Sequence, residues 1–288
     1  SPAFKNRHIF KKYGVYIFST NFALYGDFSS RVMSVLAEAV PQIEIYSIDE
    51  AFMDYSGLPE PVEYAKNLRY KVKKWTGIPV SIGIAGTKTL AKIANGIAKK
   101  EIKSGVFHLH CQSDIKQYLK KLPVSKLWGV GRRYAEKLGL YGIQTAYELT
   151  QQSDSWIQKH MSIVGLKMVK ELRGIPCFDL ETAWQRKKSI CTSQTFGEEV
   201  CRFNQLTQAL STYAAMCGAK LRKQGSCAGM VTIFIHTNPF KYQYRANYKG
   251  IRKIRLKTPT NDSLEIVSAA VSALRSIYRS DCIYKKAG

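Results

Sequence analysis

Acidic residues are scarce in this chain: 21 Asp and Glu residues stand against 44 Lys and Arg residues, which gives a formal net charge of +23. So large an excess of positive charge attracts polyanions, and nucleic acid is the partner that we expect. Apolar runs of about 18 residues, which a membrane-spanning helix needs, are absent from the sequence, so we expect no membrane partner. A basic protein without a polyanionic partner is the alternative.

Cysteine pairs with the close spacing of zinc ribbons are also lacking, although the chain contains seven cysteines. Their odd number and scattered positions argue against a disulfide framework and favour a reducing cytoplasm. His108, His110 and Cys111 are neighbours, but strand alternation places Cys111 opposite the two histidines. We therefore interpret these three residues as part of a surface and not as a metal site.

Three segments of different pattern follow one another, in a chain long enough for two or three domains. Residues 1–120 interleave strand-like and helical patterns, which predicts an α+β domain. Residues 121–180 carry short helical patterns only and predict a small all-helical domain. Residues 181–188 are polar and basic enough for a linker, and residues 189–288 show a β-α-β-β-α pattern followed by the start of a last strand.

Several elements of the first segment can be placed individually. We predict a strand over residues 14–19 and a hairpin over residues 43–55. Helical spacing predicts a helix over residues 29–39, with Ser29 as its N-cap. Thr87 is the expected N-cap of a later helix.

Two adjacent carboxylates, Asp49 and Glu50, lie between the two β-prone runs of the predicted hairpin. At the tip of a tight hairpin both side chains can turn toward one site. Mg²⁺ prefers one or two carboxylates together with phosphate oxygens of a substrate, and a pair of such ions drives phosphoryl transfer. The pair therefore indicates a nucleotidyl-transferring enzyme, and an ordinary acidic β-turn is the alternative.

Lysines line one face of the helix predicted after Thr87. Lys88, Lys92 and Lys99 stand at i, i+4 and i+11 on that helix. The nearby glycines do not have the spacing of a P-loop, which excludes that class of nucleotide site. The lysine face could receive a triphosphate or a backbone phosphate, and a solvated lysine stripe is equally compatible with the pattern.

Residues 127–140 combine a short helix, a Gly-Val-Gly turn and a second helix, which predicts a helix-hairpin-helix. Glycines allow close approach of a phosphate, and the N–H groups at the start of the second helix can bind it. Such a motif holds DNA by its backbone without reading base sequence. An αα-hairpin with a glycine turn and no ligand is the alternative.

Seventeen residues, 241–257, contain seven basic residues and no acidic one, with tyrosines interleaved. Alternation places Lys253, Arg255 and Lys257 on one face of a strand and Arg252 on the other. We predict a sheet whose basic face lies along a phosphate backbone. A solvated loop and edge strand is the alternative.

In this order the motifs resemble those of the Y-family (translesion) DNA polymerases, over nearly the whole chain. Residues 46–52 and 81–94 resemble the palm motifs and residues 127–133 the thumb motif. Residues 172–177 and 193–198 are most similar to the UmuC-like branch, the catalytic subunits of bacterial DNA polymerase V. The resemblance implies an α+β fold: a palm (1–120), a helical thumb with a helix-hairpin-helix (121–180) and an α/β little finger of β-α-β-β-α-β order (189–288).

The resemblance also implies roles for particular residues. Asp49 and Glu50 take the positions of catalytic, metal-binding carboxylates that hold two Mg²⁺ ions, and Lys99 takes that of the lysine contacting the incoming triphosphate. The positions implied to contact DNA are Gly129, Val130, Gly131, Arg132, Arg133, Arg252, Lys253, Arg255 and Lys257.

The implied function is error-prone translesion synthesis on damaged template DNA, as part of DNA repair and SOS mutagenesis. Primer-template DNA and deoxynucleoside triphosphates are the implied substrates. The family further implies an accessory UmuD-type dimer and a recombinase filament as partners, in a bacterial cytoplasm and in association with the nucleoid.

The sequence departs from the family pattern at both ends. A first strand of the form Asp-x-x-x-Phe-Tyr-Ala, which supplies the third carboxylate, is not found, and neither are the finger subdomain and the downstream tail with its clamp-binding peptide. We therefore expect a chain truncated at both ends, with impaired catalysis and without a sliding-clamp contact. A non-catalytic DNA-binding remnant is the alternative function, and a helix-hairpin-helix nuclease is a third.

Overall fold

The computed structural model describes residues 3–182, 187–240 and 247–288. The chain divides into two compact units, residues 1–184 and residues 185–288. The boundary falls within the predicted linker, of which residues 183–186 lie outside the described residues. None of the described helices combines the length and the apolar character that crossing a bilayer requires.

The first unit contains a two-stranded antiparallel hairpin, a two-stranded parallel sheet and helices around both. Its described helices are α1 (Arg7–Lys12), α2 (Phe22–Ala37), α3 (Pro61–Thr76), α4 (Lys88–Lys100), α5 (Gln112–Lys121), α6 (Arg132–Leu140), α7 (Ala146–Thr150) and α8 (Asp154–Leu172), with 3₁₀ turns at Ala3–Asn6 and Val124–Lys126. Its described strands are β1 (Ile43–Ile45), β2 (Ala51–Met53), β3 (Ile82–Ala85) and β4 (Val106–Leu109). β1 pairs antiparallel with β2, and β3 pairs parallel with β4.

Two predictions near the start of this unit are wrong. Residues 14–19 form no strand, because β-prone residues make a strand only where a second strand pairs with them. Helix α2 begins at Phe22, where the side chain of Asn21 accepts a hydrogen bond from the Leu24 N–H, so Ser29 is not its N-cap. The apolar spacing starts late because only the second half of α2 is buried.

Helix α4 begins and lies as the sequence predicts. The Thr87 hydroxyl caps it by accepting from the Leu90 N–H at 3.3 Å. The helix lies directly on β3 at Gly83, where an added Cβ would stand 1.9 Å from the backbone nitrogen of Asn95. A side chain at residue 83 would therefore displace α4, and with it the lysines that α4 carries.

The described residues of the first unit form two apolar cores. One lies between α2, α3 and the β3–β4 sheet. The other runs without interruption from α4 through α5, α6, α7 and α8, and includes Leu90, Leu138 and Leu172. The segments predicted as palm and thumb thus share this second core. The domain boundary predicted at residue 120 would divide it.

A buried carboxylate ties the start of α4 to the end of α8. Glu171 is 0% exposed and accepts hydrogen bonds from the N–H and the hydroxyl of Thr89, at 2.8 and 2.7 Å. Its other oxygen accepts from the N–H groups of Cys177 and Phe178, at 3.2 and 3.0 Å. One side chain therefore fixes the α4 N-terminus, the end of α8 and the loop that follows α8.

The described residues of the second unit form a four-stranded antiparallel sheet with two helices on one face. Its described elements are β5 (Gln194–Val200), α9 (Phe203–Gln224), β6 (Ala228–Thr237), β7 (Lys249–Thr260), α10 (Ser263–Ile277) and β8 (Tyr284–Ala287). The strand order is β5-β8-β6-β7. Ile233 and Ile235 of β6 are buried with α9 and α10. Met230 and Thr232, which alternate with them, are exposed on the other face of the sheet, and we call it the open face. The predicted β-α-β-β-α-β order is confirmed.

Candidate active site and nucleic-acid interface

The adjacent carboxylates lie at the tip of the β1–β2 hairpin. The N–H groups of Tyr46 and Ser47 both donate to the Glu50 carbonyl at 3.0 Å, which closes the tip. Asp49 is exposed and accepts a hydrogen bond from the Ser47 hydroxyl at 2.7 Å. The turn thus presents two carboxylates next to each other at one end of the hairpin.

Glu50 is paired with a lysine of α4. The Lys92 ammonium lies 3.1 and 3.0 Å from the two carboxylate oxygens of Glu50. One helical turn earlier, Lys88 forms an ion pair with Glu44 of β1, and both side chains are about nine-tenths buried (10% exposed each). Two lysines of α4 therefore hold the first strand and the tip of the hairpin, and for them the interpretation as a solvated stripe is wrong.

Lys99 differs from these two lysines. It lies in the last turn of α4 and is exposed. Because it follows Lys92 by two helical turns, it lies on the same face of α4, about 10 Å further along the helix axis. Its ammonium is therefore in a position to meet an anion that approaches along the helix.

The donor chemistry at the hairpin tip fits Mg²⁺. Asp49 and Glu50 provide two carboxylates, and Mg²⁺ commonly takes one or two carboxylates while water and substrate phosphate complete its shell. Within the described ranges, no group of three or more His, Cys, Asp or Glu side chains is close enough to hold a metal ion. A metal held by this pair would therefore complete its shell with oxygen atoms of water and substrate.

The helix-hairpin-helix turn lies just before α6. Gly129 has a φ of +83°, a conformation that favours glycine. Gly131 is the N-cap of α6 and brings no side-chain cap, so the first N–H groups of α6 are open to an anion. The arginines are exposed: Arg132 is 90% exposed, with Glu136 one turn away at 3.0 Å, and Arg133 is exposed beside it.

The register of β6 and β7 decides which basic residues share the open face of the second unit. Lys253 pairs with Thr232 and Arg255 pairs with Met230. These β6 residues alternate with Ile233, which is buried against the helices. Lys253 and Arg255 therefore lie together on the open face, as the alternation predicts.

Arg252, which is also predicted to contact DNA, pairs with the buried Ile233. It therefore lies on the side of the sheet that carries the helices and does not share a face with Lys253 and Arg255. Lys257 is exposed, but the register shifts between Arg255 and Thr260, so pairing does not assign it to a face. Residues 241–246 of the predicted basic segment lie outside the described residues.

One histidine shares the open face with further lysines. His236 pairs with Lys249 on one side and with Lys286 on the other. Burial lowers the pKa of His236, and the two ammonium groups lower it further. The histidine is therefore neutral near pH 7, and the lysines carry the positive charge of this part of the sheet.

Sequence reasoning missed some members of the site. It did not find Glu44 as the partner of Lys88, and it did not expect Trp128, which precedes Gly129, to lie against the hairpin. The buried Glu171 was also missed. A carboxylate inside the apolar repeat of α8 was the available signal, because a buried carboxylate needs partners.

Family models match three parts of the chain. The impB/mucB/samB family matches residues 1–96, the IMS family HHH motif matches residues 113–143, and the impB/mucB/samB family C-terminal domain matches residues 187–288. The matched segments include the hairpin, the helix-hairpin-helix turn and the four-stranded sheet.

Curated relatives match the chain over its whole length. Protein UmuC of Salmonella typhimurium is 41% identical over 292 residues, covering 100% of this chain and 69% of the relative. Protein ImpB of Salmonella typhimurium is 38% identical over 293 residues, with the same coverage.

Solved structures share the fold at low sequence identity. A Y-family DNA polymerase chimera of Dbh and Dpo4 gives a TM-score of 0.75 at 20% identity, covering 92% of this chain and 74% of the other. An insertion ternary complex of Dbh DNA polymerase gives a TM-score of 0.56 at 19% identity, with coverages of 99% and 80%.

Proposed function

Because this chain belongs to the impB/mucB/samB family of Y-family DNA polymerases, we propose that it extends primers on damaged template DNA, in DNA repair and SOS mutagenesis. One observation carries the proposal above the others. The hairpin presents Asp49 and Glu50 side by side, next to a helix whose lysines face the same hairpin. Lys88 and Lys92 are paired with carboxylates of the hairpin, whereas Lys99 on the same helix face is exposed and can meet the negative charge of a triphosphate substrate.

In the proposed reaction the primer 3′-hydroxyl attacks the α-phosphate of a deoxynucleoside triphosphate, and pyrophosphate leaves. Asp49 and Glu50 would hold Mg²⁺, which when bound supplies Lewis-acid stabilisation of the charge on the reacting phosphate. Lys99 binds the triphosphate through its exposed ammonium. Most of the rate enhancement then comes from positioning and charge, as in phosphoryl transfer generally.

The proposed DNA contacts go to the backbone. The turn at residues 129–133 offers N–H groups and two exposed arginines to a phosphate, and the open sheet face offers Lys253 and Arg255. Phosphate contacts position DNA without reading its bases. Phosphate contacts do not depend on an intact base, so they are compatible with synthesis past a damaged base.

Further partners are proposed from the family resemblance alone. An accessory UmuD-type dimer and a recombinase filament would act with the enzyme on the nucleoid, in a bacterial cytoplasm. These partners add to the proposed reaction, and the primer-extension test does not require them to be present.

The proposal is tested by extension of a labelled primer on an intact template and on a template with an abasic site, with Mg²⁺ and all four deoxynucleoside triphosphates. We expect products longer than the primer on both templates. DNA binding that weakens with salt but gives no extension would support a non-catalytic DNA-binding protein. Shortened DNA would support a nuclease.

The basic residues on the open sheet face lead to a separate prediction for DNA binding. Lys253→Ala and Arg255→Ala should each weaken binding at all sequences and reduce the slope of log K against log salt by about 1, since each releases one fewer counterion. Fluorescence anisotropy at several salt concentrations measures this slope.

Arg252→Ala is the matched control. It removes one positive charge from the same strand but from the opposite face, and its slope should change by less than half as much. Equal changes for all three variants would contradict the assignment of faces.

A further inference from the structure

Buried residues of the helix-hairpin-helix lie on both sides of Trp128 in the sequence. Leu127 before it and Val130 after it are buried in the core that α5–α8 share with α4. Trp128 itself is half-buried, and its indole contacts the β1–β2 hairpin, whose tip carries Asp49 and Glu50. The residue next to the phosphate-binding turn thus touches the element that carries the carboxylates.

The contact is directional. The indole meets Tyr46 edge-on, with 5.5 Å between ring centroids and 86° between ring planes. The indole N–H donates to the Tyr46 hydroxyl at 2.9 Å. Phe52 lies 5.8 Å away on the same hairpin, and Phe178 lies 5.8 Å away in the loop that Glu171 holds. A hydrogen bond combined with edge-on rings specifies orientation as well as proximity.

The lysine that holds Glu50 belongs to the same cluster. The Lys92 ammonium lies 4.6 Å from the centroid of Tyr46, 5.2 Å from that of Trp128 and 5.8 Å from that of Phe52. At these distances the aromatic rings attract the cation. The Lys92 side chain is only 21% exposed, so the rings also restrict where its ammonium can go. Contacts therefore lead from Trp128 to Glu50 through Lys92, and from Trp128 to the hairpin tip through Tyr46.

These contacts connect two places that the proposed function needs at a fixed separation. A DNA backbone phosphate held at residues 129–133 determines where the primer lies, and Asp49 and Glu50 determine where reaction occurs. Small errors in such a separation are costly, because a displacement of about 1 Å can slow a reaction by about a hundredfold.

We propose that Trp128 is a positioning residue that fixes the helix-hairpin-helix turn against the carboxylate hairpin. It does not touch the reacting atoms, and it acts through Tyr46 and Lys92. The inference rests on the proposed polymerase function for its kinetic consequence, whereas its structural content can be tested without activity.

The kinetic test compares Trp128→Ala, Trp128→Phe and Trp156→Phe. Trp156 is the matched control because it is also half-buried in the first unit and stacked on an aromatic ring, that of His160. For Trp128→Ala we expect the maximal extension rate at saturating DNA and nucleotide to fall about ten- to a hundredfold. Its Kd for DNA should change by less than about threefold, since the turn and its arginines remain. Trp128→Phe should recover part of the rate, and Trp156→Phe should match the unaltered protein.

Equal losses of rate and DNA affinity in Trp128→Ala, or no loss of either, would overturn the proposal. A lower unfolding midpoint in Trp128→Ala does not obscure the result, because Trp128→Phe retains an aromatic ring. A specific positioning role requires the extension rate of Trp128→Phe to lie between the rate of Trp128→Ala and the rate of the unaltered protein.

A second measurement does not depend on activity. A protein whose only tryptophan is Trp128 is obtained by changing Trp75, Trp156 and Trp184 to Phe. Acrylamide quenching of its emission should increase at least twofold when Tyr46→Ala is added, because the indole loses its hydrogen-bond partner and a covering ring. Unchanged quenching overturns the proposal. If the unaltered protein does not extend primers, the proposed function fails, and this measurement alone decides whether Trp128 is anchored to the hairpin.

Discussion

Primer extension by the Asp49→Asn protein is expected to fall by at least about a hundredfold, because one of the two carboxylates that would hold Mg²⁺ at the hairpin tip becomes a neutral amide. The amide has the same size, and its oxygen can still accept the Ser47 hydroxyl, which in the unaltered protein lies 2.7 Å from Asp49. The hairpin should therefore keep its shape. Single-nucleotide extension at saturating DNA and nucleotide measures the loss.

Two controls make this result specific. Asp27→Asn removes one negative charge from an exposed ion pair with Arg31 on α2 and should leave extension within about twofold of the unaltered rate, since exposed pairs contribute little. The DNA affinity of Asp49→Asn should stay unchanged or increase, because the protein becomes more positive. Extension that persists at the normal rate in Asp49→Asn would remove the carboxylate pair from the proposed reaction.

The second large effect concerns stability. Glu171→Ala should lower the free energy of unfolding of the first unit by about 3–5 kcal/mol, because the buried N–H and hydroxyl of Thr89 lose their acceptor at about 1–3 kcal/mol each, and the half-buried N–H groups of Cys177 and Phe178 lose theirs at a smaller cost. All four tryptophans of the chain lie within residues 1–184. Urea unfolding followed by tryptophan emission therefore reports this unit without a contribution from the second.

The matched control for this experiment is Glu63→Ala. Glu63 is an exposed residue of α3 that pairs with Lys66 at 3.0 Å, and its loss should cost less than about 0.5–1 kcal/mol. Glu171→Gln should lie between the two variants, since the amide keeps one acceptor oxygen but brings an N–H₂ group toward N–H donors. A loss below 1 kcal/mol for Glu171→Ala would show that water or a rearranged loop replaces the carboxylate.

Local patterns in the sequence predicted the elements that lie close together along the chain. The hairpin around Asp49, the cap at Thr87, the glycine turn before α6 and the basic face of β7 each depend on residues within one short segment. Their spacing follows directly from the geometry of a turn, a helix or a strand. The same logic gave the order of elements in the second unit.

Long-range contacts could not be predicted in this way. Glu44 and Lys88 are separated by 44 positions, and Glu171 and Thr89 by 82, so no periodicity connects them. The strand predicted at residues 14–19 failed for a related reason: its residues have the propensity for a strand, but a sheet also needs a partner strand, and a single segment does not reveal one. The site combines local motifs with connections that only the folded chain displays.

The core shared by α4 and α5–α8 has a consequence for exchanging parts between homologous polymerases. A junction placed near residue 120 would join one protein's α4 to another protein's α8, and would separate Glu171 from Thr89 and Trp128 from Tyr46. A junction between residues 184 and 188 cuts none of the three described cores, because each core contains residues of one unit only. The two units are therefore the parts that can be exchanged. The helical segment, residues 121–180, has to come from the same protein as the carboxylate hairpin.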